Sequence, residues 1–125
     1  MADTLDPTTP ATSAITAAAL RRALIAGARR VIDAREELNR INVFPVADGD
    51  TGSNLAATLG SMLQGALSQR SWHAGALLAQ VGNDAIDGAR GNSGALLAQF
   101  LVGLGEHARQ LPVLDAASLA GAVRR

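Results

Sequence analysis

Apolar side chains recur along this chain at three- and four-residue steps, broken by short polar stretches that carry glycine or proline. Leu20, Leu24, Ala28, Val31, Arg35 and Leu38 form one such row, mostly apolar. They predict a long helix from about Ile15 to about Ile41, with Arg21, Arg22, Arg29, Arg30, Glu36 and Arg40 mostly off that face. Pro45 prevents that helix from continuing. A second helix is expected from Ser53 or Asn54, both good N-caps, to about Ser68, with Leu55, Leu59, Met62, Leu63 and Leu67 inward. A third runs from Ser71 to Gly88 and buries Trp72, Leu77, Leu78, Val81 and Ile86. A fourth opens at Asn92 or Ser93, carries Leu96, Leu97, Phe100, Leu101 and Leu104 on its apolar face, and stops near Leu111, before Pro112. A last short helix starts near Asp115 and includes Leu119 and Val123. Sustained period-two alternation is missing and β-branched residues are sparse, so the expected class is all-α, with about five amphipathic helices packed antiparallel. Residues 1–13 are polar and hold two prolines, which reads as a flexible leader; residues 14–125 read as one unit without internal repeats. Ala122-Val123-Arg124-Arg125 ends inside a helical pattern with no C-cap glycine, as a piece of a longer domain would.

Composition narrows the chemistry. The 125 residues suit a single domain, and 48% of them are hydrophobic, enough for a core. Only 2% are aromatic, so that core is built from small side chains that bury little area each. Lys+Arg and Asp+Glu are both 11, and this balance argues against nucleic acid or an anionic membrane as partner. Every cation is an arginine, which excludes a P-loop lysine and a Schiff-base lysine. The lack of cysteine excludes disulfides, thiolate zinc sites and cysteine nucleophiles. No stretch reaches the ~18 consecutive apolar residues of a membrane span. No signal-peptide pattern opens the chain, and a cytoplasmic location is expected.

Two loops hold the candidate chemistry. In the first, Asp48-Gly49-Asp50-Thr51-Gly52, two carboxylates stand one residue apart between glycines. Glycine permits the sharp turn that lets both acids converge on one hard divalent cation such as Mg²⁺. Asn42 and Asn54 add neutral oxygens on either side. The plainer alternative is a polar turn that caps a helix and leaves both acids in water. A calcium loop fails on spacing: counted from Asp48, its sixth and twelfth positions hold Ser53 and Leu59 instead of glycine and glutamate. The second loop, Gly88-Ala89-Arg90-Gly91-Asn92-Ser93-Gly94, leads into the fourth helix. Its small residues admit a phosphate to the main chain, where Ser93 and free helix N–H groups can donate to it. The alternative there is a glycine-terminated helix followed by a serine cap. Gly-Lys-Ser/Thr is missing and no strand precedes the glycines, so neither a P-loop nor a dinucleotide fingerprint is present. Alternate helices of an antiparallel bundle point the same way, so the second and fourth helices should begin at one end and bring a metal loop and a phosphate loop together. Metal beside anion suggests a Mg²⁺-nucleotide site.

Ile41-Asn42-Val43-Phe44-Pro45-Val46-Ala47-Asp48-Gly49-Asp50-Thr51-Gly52-Ser53-Asn54-Leu55, followed by Gly88 to Gly94, resembles the nucleotide-binding L domain of dihydroxyacetone kinases. It is more similar to the variant at the N-terminus of the bacterial fatty acid kinase subunit. The likeness spans about Ala14 to the end, with both motifs in order. It implies part of an α-helical barrel of antiparallel amphipathic helices, with ATP or ADP and two Mg²⁺ at one mouth. By the same likeness, Asp48 and Asp50 match the metal-binding acids. Asn42 falls where the dihydroxyacetone branch has a third aspartate, and Asn54 matches a polar contact near the nucleotide. Gly91, Asn92, Ser93 and Gly94 match the phosphate-binding turn. Thr51 stands where a histidine is common in the dihydroxyacetone branch; it and Gly52 belong to the nucleotide loop. Ala47 replaces the usual proline before the first acid, a change that should loosen the loop without removing a ligand.

The implied activity is transfer of the ATP γ-phosphate to glycerone or to a protein-bound acyl carboxylate. Positioning and metal electrostatics would carry the chemistry, with no nucleophilic side chain from this chain. The acceptor would come from a partner protein or from further C-terminal domains. His73 and His107 lie on helical patterns away from both loops and read as surface or packing residues. A full domain of this kind extends past residue 125, so the chain alone is expected to be weak or inactive as a kinase. It would expose an apolar strip that favours self-association into homo-oligomers. The contrasting expectation is a non-catalytic nucleotide-binding or docking module.

Overall fold

The computed structural model describes residues 14–41, 49–115, 117, 120, 121 and 123. The leader at 1–13, Asn42, Pro45, Asp48 and Leu119 lie outside them. Among the described residues the fold is all-α: α1 (Ala17–Asp33), α2 (Arg35–Arg40), α3 (Thr51–Gln64), α4 (Ala74–Gly88) and α5 (Gly91–Ala108), with a 3₁₀ turn at Ala66–Ser68. The last expected helix appears only as helical residues at 117, 120, 121 and 123.

The expected first helix is divided. At Ala34 (φ −90°, ψ 9°) the chain leaves helical geometry, and its N–H is shared between the Arg30 and Val31 carbonyls. The bend sends α2 onto the start of α3, where Gly52 lies directly against the Arg35 carbonyl. Any Cβ at residue 52 would occupy the space of that oxygen. Arg35, counted into the inward row, is exposed.

Close backbone approaches fix the directions of α3, α4 and α5. Gly75 meets the Ala108 carbonyl, Gly82 meets Val102 and Gly105 meets Ala79, so α4 and α5 form an antiparallel hairpin across the two-residue link Ala89-Arg90. Gly88 packs on Ser61 and Gly65 on Asp84, so α3 and α4 are antiparallel as well. Gly91 packs on Asn54 and Gly94 on Thr58, which makes α3 and α5 parallel and level at their starts. The expected alternation of an antiparallel bundle is therefore present.

Two clusters fill the interior. Ala28, Leu59, Met62, Leu67, Leu77, Val81, Ala85, Ala98 and Leu101 join α1, α3, α4 and α5. Ala17, Ala74, Leu78, Ala108 and Leu114 close the end where α4 begins and α5 finishes. At that end Ile15 and Leu114 form an isolated antiparallel bridge, and Leu114 is fully buried.

Several inward assignments differ. Trp72 is 88% exposed, because α4 begins at Ala74 and residues 71–73 form a bent lead-in instead of a helical turn. Leu96 (72% exposed) and Phe100 (50%) point away from the core, which takes the expected Leu101 and also Ala98 from α5. Ile86 is also exposed. The helix ends shift too. The second expected helix stops at Gln64 and continues as the 3₁₀ turn; α3 starts before Ser53, and α5 begins at Gly91 and ends at Ala108.

Candidate functional site

The site is the shared starting end of α3 and α5. The acidic loop reaches it through Gly49, whose φ of +74° is a turn that glycine adopts without strain. Asp50 follows as the N-cap residue of α3, exposed, and its side chain makes no capping hydrogen bond. That role belongs to Asn39 of α2. Its Oδ1 accepts the Ser53 N–H at 3.0 Å, and its Nδ2 donates to Ser53 Oγ at 3.0 Å. Ser53 is thus a recipient of the cap. The expectation that Ser53 or Asn54 would be the N-cap is corrected, because an amide from another helix supplies the acceptor.

The glycine-rich loop is held on α3 by Thr58. Its hydroxyl, fully buried, donates to the Asn54 carbonyl at 2.9 Å and accepts the Arg90 N–H at 3.2 Å. A buried hydroxyl with both functions engaged is a stable bridge between two elements. Gly91 then turns with φ +67° and lies against the Asn54 side chain, closer than a Cβ would allow. Ser93 Oγ donates to the Thr51 carbonyl at 3.5 Å. Gly94 rests on Thr58. Thr51, Asn54, Gly91, Ser93 and Gly94 are brought to one place, with Asn92 in the same turn and Asp50 at its edge, whereas Gly52 is turned to α2, against the Arg35 backbone.

The first turn of α5 is open. Arg90 is its N-cap and offers no side-chain acceptor. The first helical bond runs from the Gly94 N–H to the Arg90 carbonyl, and no described residue accepts from the N–H groups of Gly91, Asn92 or Ser93. Gly91 and Asn92 are exposed and Ser93 is half-buried, so these donors face solvent at the positive end of the helix dipole. The arrangement can hold an anion against the main chain. The expected cap at Asn92 or Ser93 is replaced by an N-terminus without a side-chain cap.

Asn42 and Asp48 lie outside the described residues, and no group of three or more His, Cys, Asp or Glu able to hold a metal is found among those described. Of the expected metal ligands, Asp50 alone is described, exposed at the start of α3. Both histidines are remote from this end: His73 caps α4, its Nδ1 accepting the Ala76 N–H at 3.0 Å, and His107 lies in the last turn of α5.

Reasoning from the sequence missed Asn39 and Thr58. Thr58 has a signal, since it stands one turn after Asn54 on the same helix face. Asn39 has none, because its role arises only when the chain bends at Ala34.

Among the described residues the fold is an all-α bundle in which Asp50, at the start of α3, and the open N-terminus of α5 lie at one end. The DAK2 domain model matches residues 45–125, more than half of the chain, and the chain belongs to that family. An uncharacterized protein of Staphylococcus saprophyticus is 31% identical over 97 residues, which cover 78% of this chain and 18% of that protein. Protein YloV of Bacillus subtilis is 29% identical over 101 residues, covering 81% of this chain and 18% of its own length. An uncharacterized protein of Staphylococcus epidermidis is 35% identical over 80 residues, covering 64% and 14%. The chain therefore spans less than a fifth of the length of these curated relatives. No helix among the described residues is long and apolar enough to cross a membrane.

Proposed function

We propose that this chain is the nucleotide-binding part of an ATP- and Mg²⁺-dependent phosphotransferase of the dihydroxyacetone kinase or fatty acid kinase type. The observation that carries the reading is the level, parallel start of α3 and α5, which sets the glycine-serine turn beside the acidic turn. Membership of the DAK2 family supports it. The N–H groups of Gly91, Asn92 and Ser93 would receive phosphate oxygens, with the Ser93 hydroxyl and Gly94 completing the turn. Thr51, Gly52 and Asn54 would line the opposite wall. Asp48 and Asp50, with Asn42, would hold Mg²⁺, which neutralises charge on the phosphate oxygens when bound. Thr58 and Asn39 would position the two turns without touching nucleotide. The acceptor, glycerone or a protein-bound acyl carboxylate, would arrive on a partner or on the further length that the relatives have.

Thermal melting with ADP and Mg²⁺ tests this reading. Nucleotide at ~100 times its dissociation constant adds ~2.7 kcal/mol. The rise should require the metal and vanish in Asp48→Ala and Asp50→Ala. If those variants respond as the parent chain does, the metal assignment is wrong; if the parent does not respond at all, the nucleotide assignment is wrong.

A further inference from the structure

A second cavity lies at the other end of the bundle. It measures about 410 Å³ and is lined by Ala18, Arg21, Arg22, Arg70, Ser71 and Trp72. That volume falls within the ~300–1,000 Å³ typical of small-molecule pockets. Arg21 and Arg22 come from the first turns of α1, and Arg70 to Trp72 from the lead-in to α4. α5 has 18 residues, so its length of about 27 Å, at ~1.5 Å per residue, separates this pole from the candidate nucleotide turn.

The lining is unusual for a neutral protein. Three arginines line one space, and among the described residues none of them pairs with a carboxylate. Arg21 is held in place, its Nε donating to the Leu67 carbonyl at 2.9 Å. Its fork is thereby fixed before any ligand arrives, which lowers the ordering cost of binding. The described lining holds three like charges and no carboxylate, a composition that attracts an anion, and guanidinium favours phosphate or carboxylate through paired N–H donors. Ser71 adds a hydroxyl. Trp72, the single tryptophan of the chain, lines the same cavity and is 88% exposed. An indole left in water beside the held Arg21 offers a face on which a planar ring can stack.

We propose that Arg21, Arg22, Arg70 and Trp72 form a second, metal-independent site for a small phosphate monoester carrying an aromatic ring, the chemistry of a nucleoside monophosphate. The arginines take the phosphate and the indole takes the ring. The site is separate from the turn at α3 and α5 and does not depend on that assignment.

Trp72 is its own reporter. The full chain, in EDTA, is titrated with AMP while tryptophan emission is followed, with adenosine and inorganic phosphate as separate probes. A saturable change with AMP is expected, with adenosine and inorganic phosphate each weaker because each carries half of the recognition. The double variant Arg22→Ala/Arg70→Ala should bind AMP at least about tenfold more weakly, as losing charge-assisted contacts implies. It should keep its melting temperature, which shows that it folds. Asp50→Ala should bind AMP as the parent does. No saturable change, an unchanged affinity in the arginine variant, or loss of the response in Asp50→Ala would each overturn the proposal. So would a response to a poly-glutamate peptide with none to AMP, which would make the cavity a protein-docking surface.

Discussion

The two poles of the bundle treat helix starts in opposite ways. Where α4 begins, each early N–H has a partner. Ala74 donates to the Pro112 carbonyl at 2.9 Å, Gly75 to the Leu111 carbonyl at 2.8 Å, Ala76 to His73 Nδ1 at 3.0 Å and Leu77 to the His73 carbonyl at 3.0 Å. Ala74 and Leu114 are fully buried there. Where α5 begins, the first three N–H groups have no acceptor among the described residues, and two of those residues are exposed. Buried donors must be paired, because leaving one unmatched costs about 1–3 kcal/mol. Exposed donors can wait for water or for a ligand. One pole is therefore built for stability and the other for exchange, and a variant should disturb one property or the other according to the pole it strikes.

The largest separation is expected at Gly75. A methyl group there collides with the Ala108 carbonyl, which is backbone and cannot yield. Gly75→Ala should lose ~3 kcal/mol or more in urea unfolding, while any folded fraction keeps its response to ADP and Mg²⁺. Gly91→Ala should act the other way round. Its positive φ costs an alanine about 1–2 kcal/mol, and the Asn54 amide must shift. The nucleotide-dependent rise in melting temperature should be lost in addition, and a normal rise would sever the link between that turn and ligand. Thr58→Val keeps shape but strands the Arg90 N–H, so a loss of about 1–3 kcal/mol is expected with weakened nucleotide response. His73→Ala removes a cap and should cost about 1 kcal/mol in the melt, with the ligand response intact. Asn39→Ala should cost a similar ~1 kcal/mol, yet its cap sits at the open pole, so here the ligand response should fall too.

The helices themselves were legible, since Leu59, Met62, Leu77, Leu78, Val81 and Leu101 all fall inside at the positions that the three- and four-residue spacing selects. The level, parallel starts of α3 and α5 were also legible, because they follow from helix order alone. Trp72, Leu96 and Phe100 were misplaced for one reason: periodicity reports that a side chain is apolar, not that a neighbour exists to cover it. Ala34 gave no warning of its bend, as alanine is the best helix former and the break is imposed by α2 folding back onto Gly52. The caps supplied by Asn39, Leu111 and Pro112 come from residues distant in sequence, which local rules cannot see.

The Ile15–Leu114 bridge ties together backbone segments about a hundred residues apart. Closing so long a loop is entropically slow, so this contact should form after the α4–α5 hairpin has already assembled. During synthesis the Ile15 backbone stays bonded to water until Leu114 has emerged. Any ligand already seated between α3 and α5 would then meet a bundle whose far seam is still unzipped.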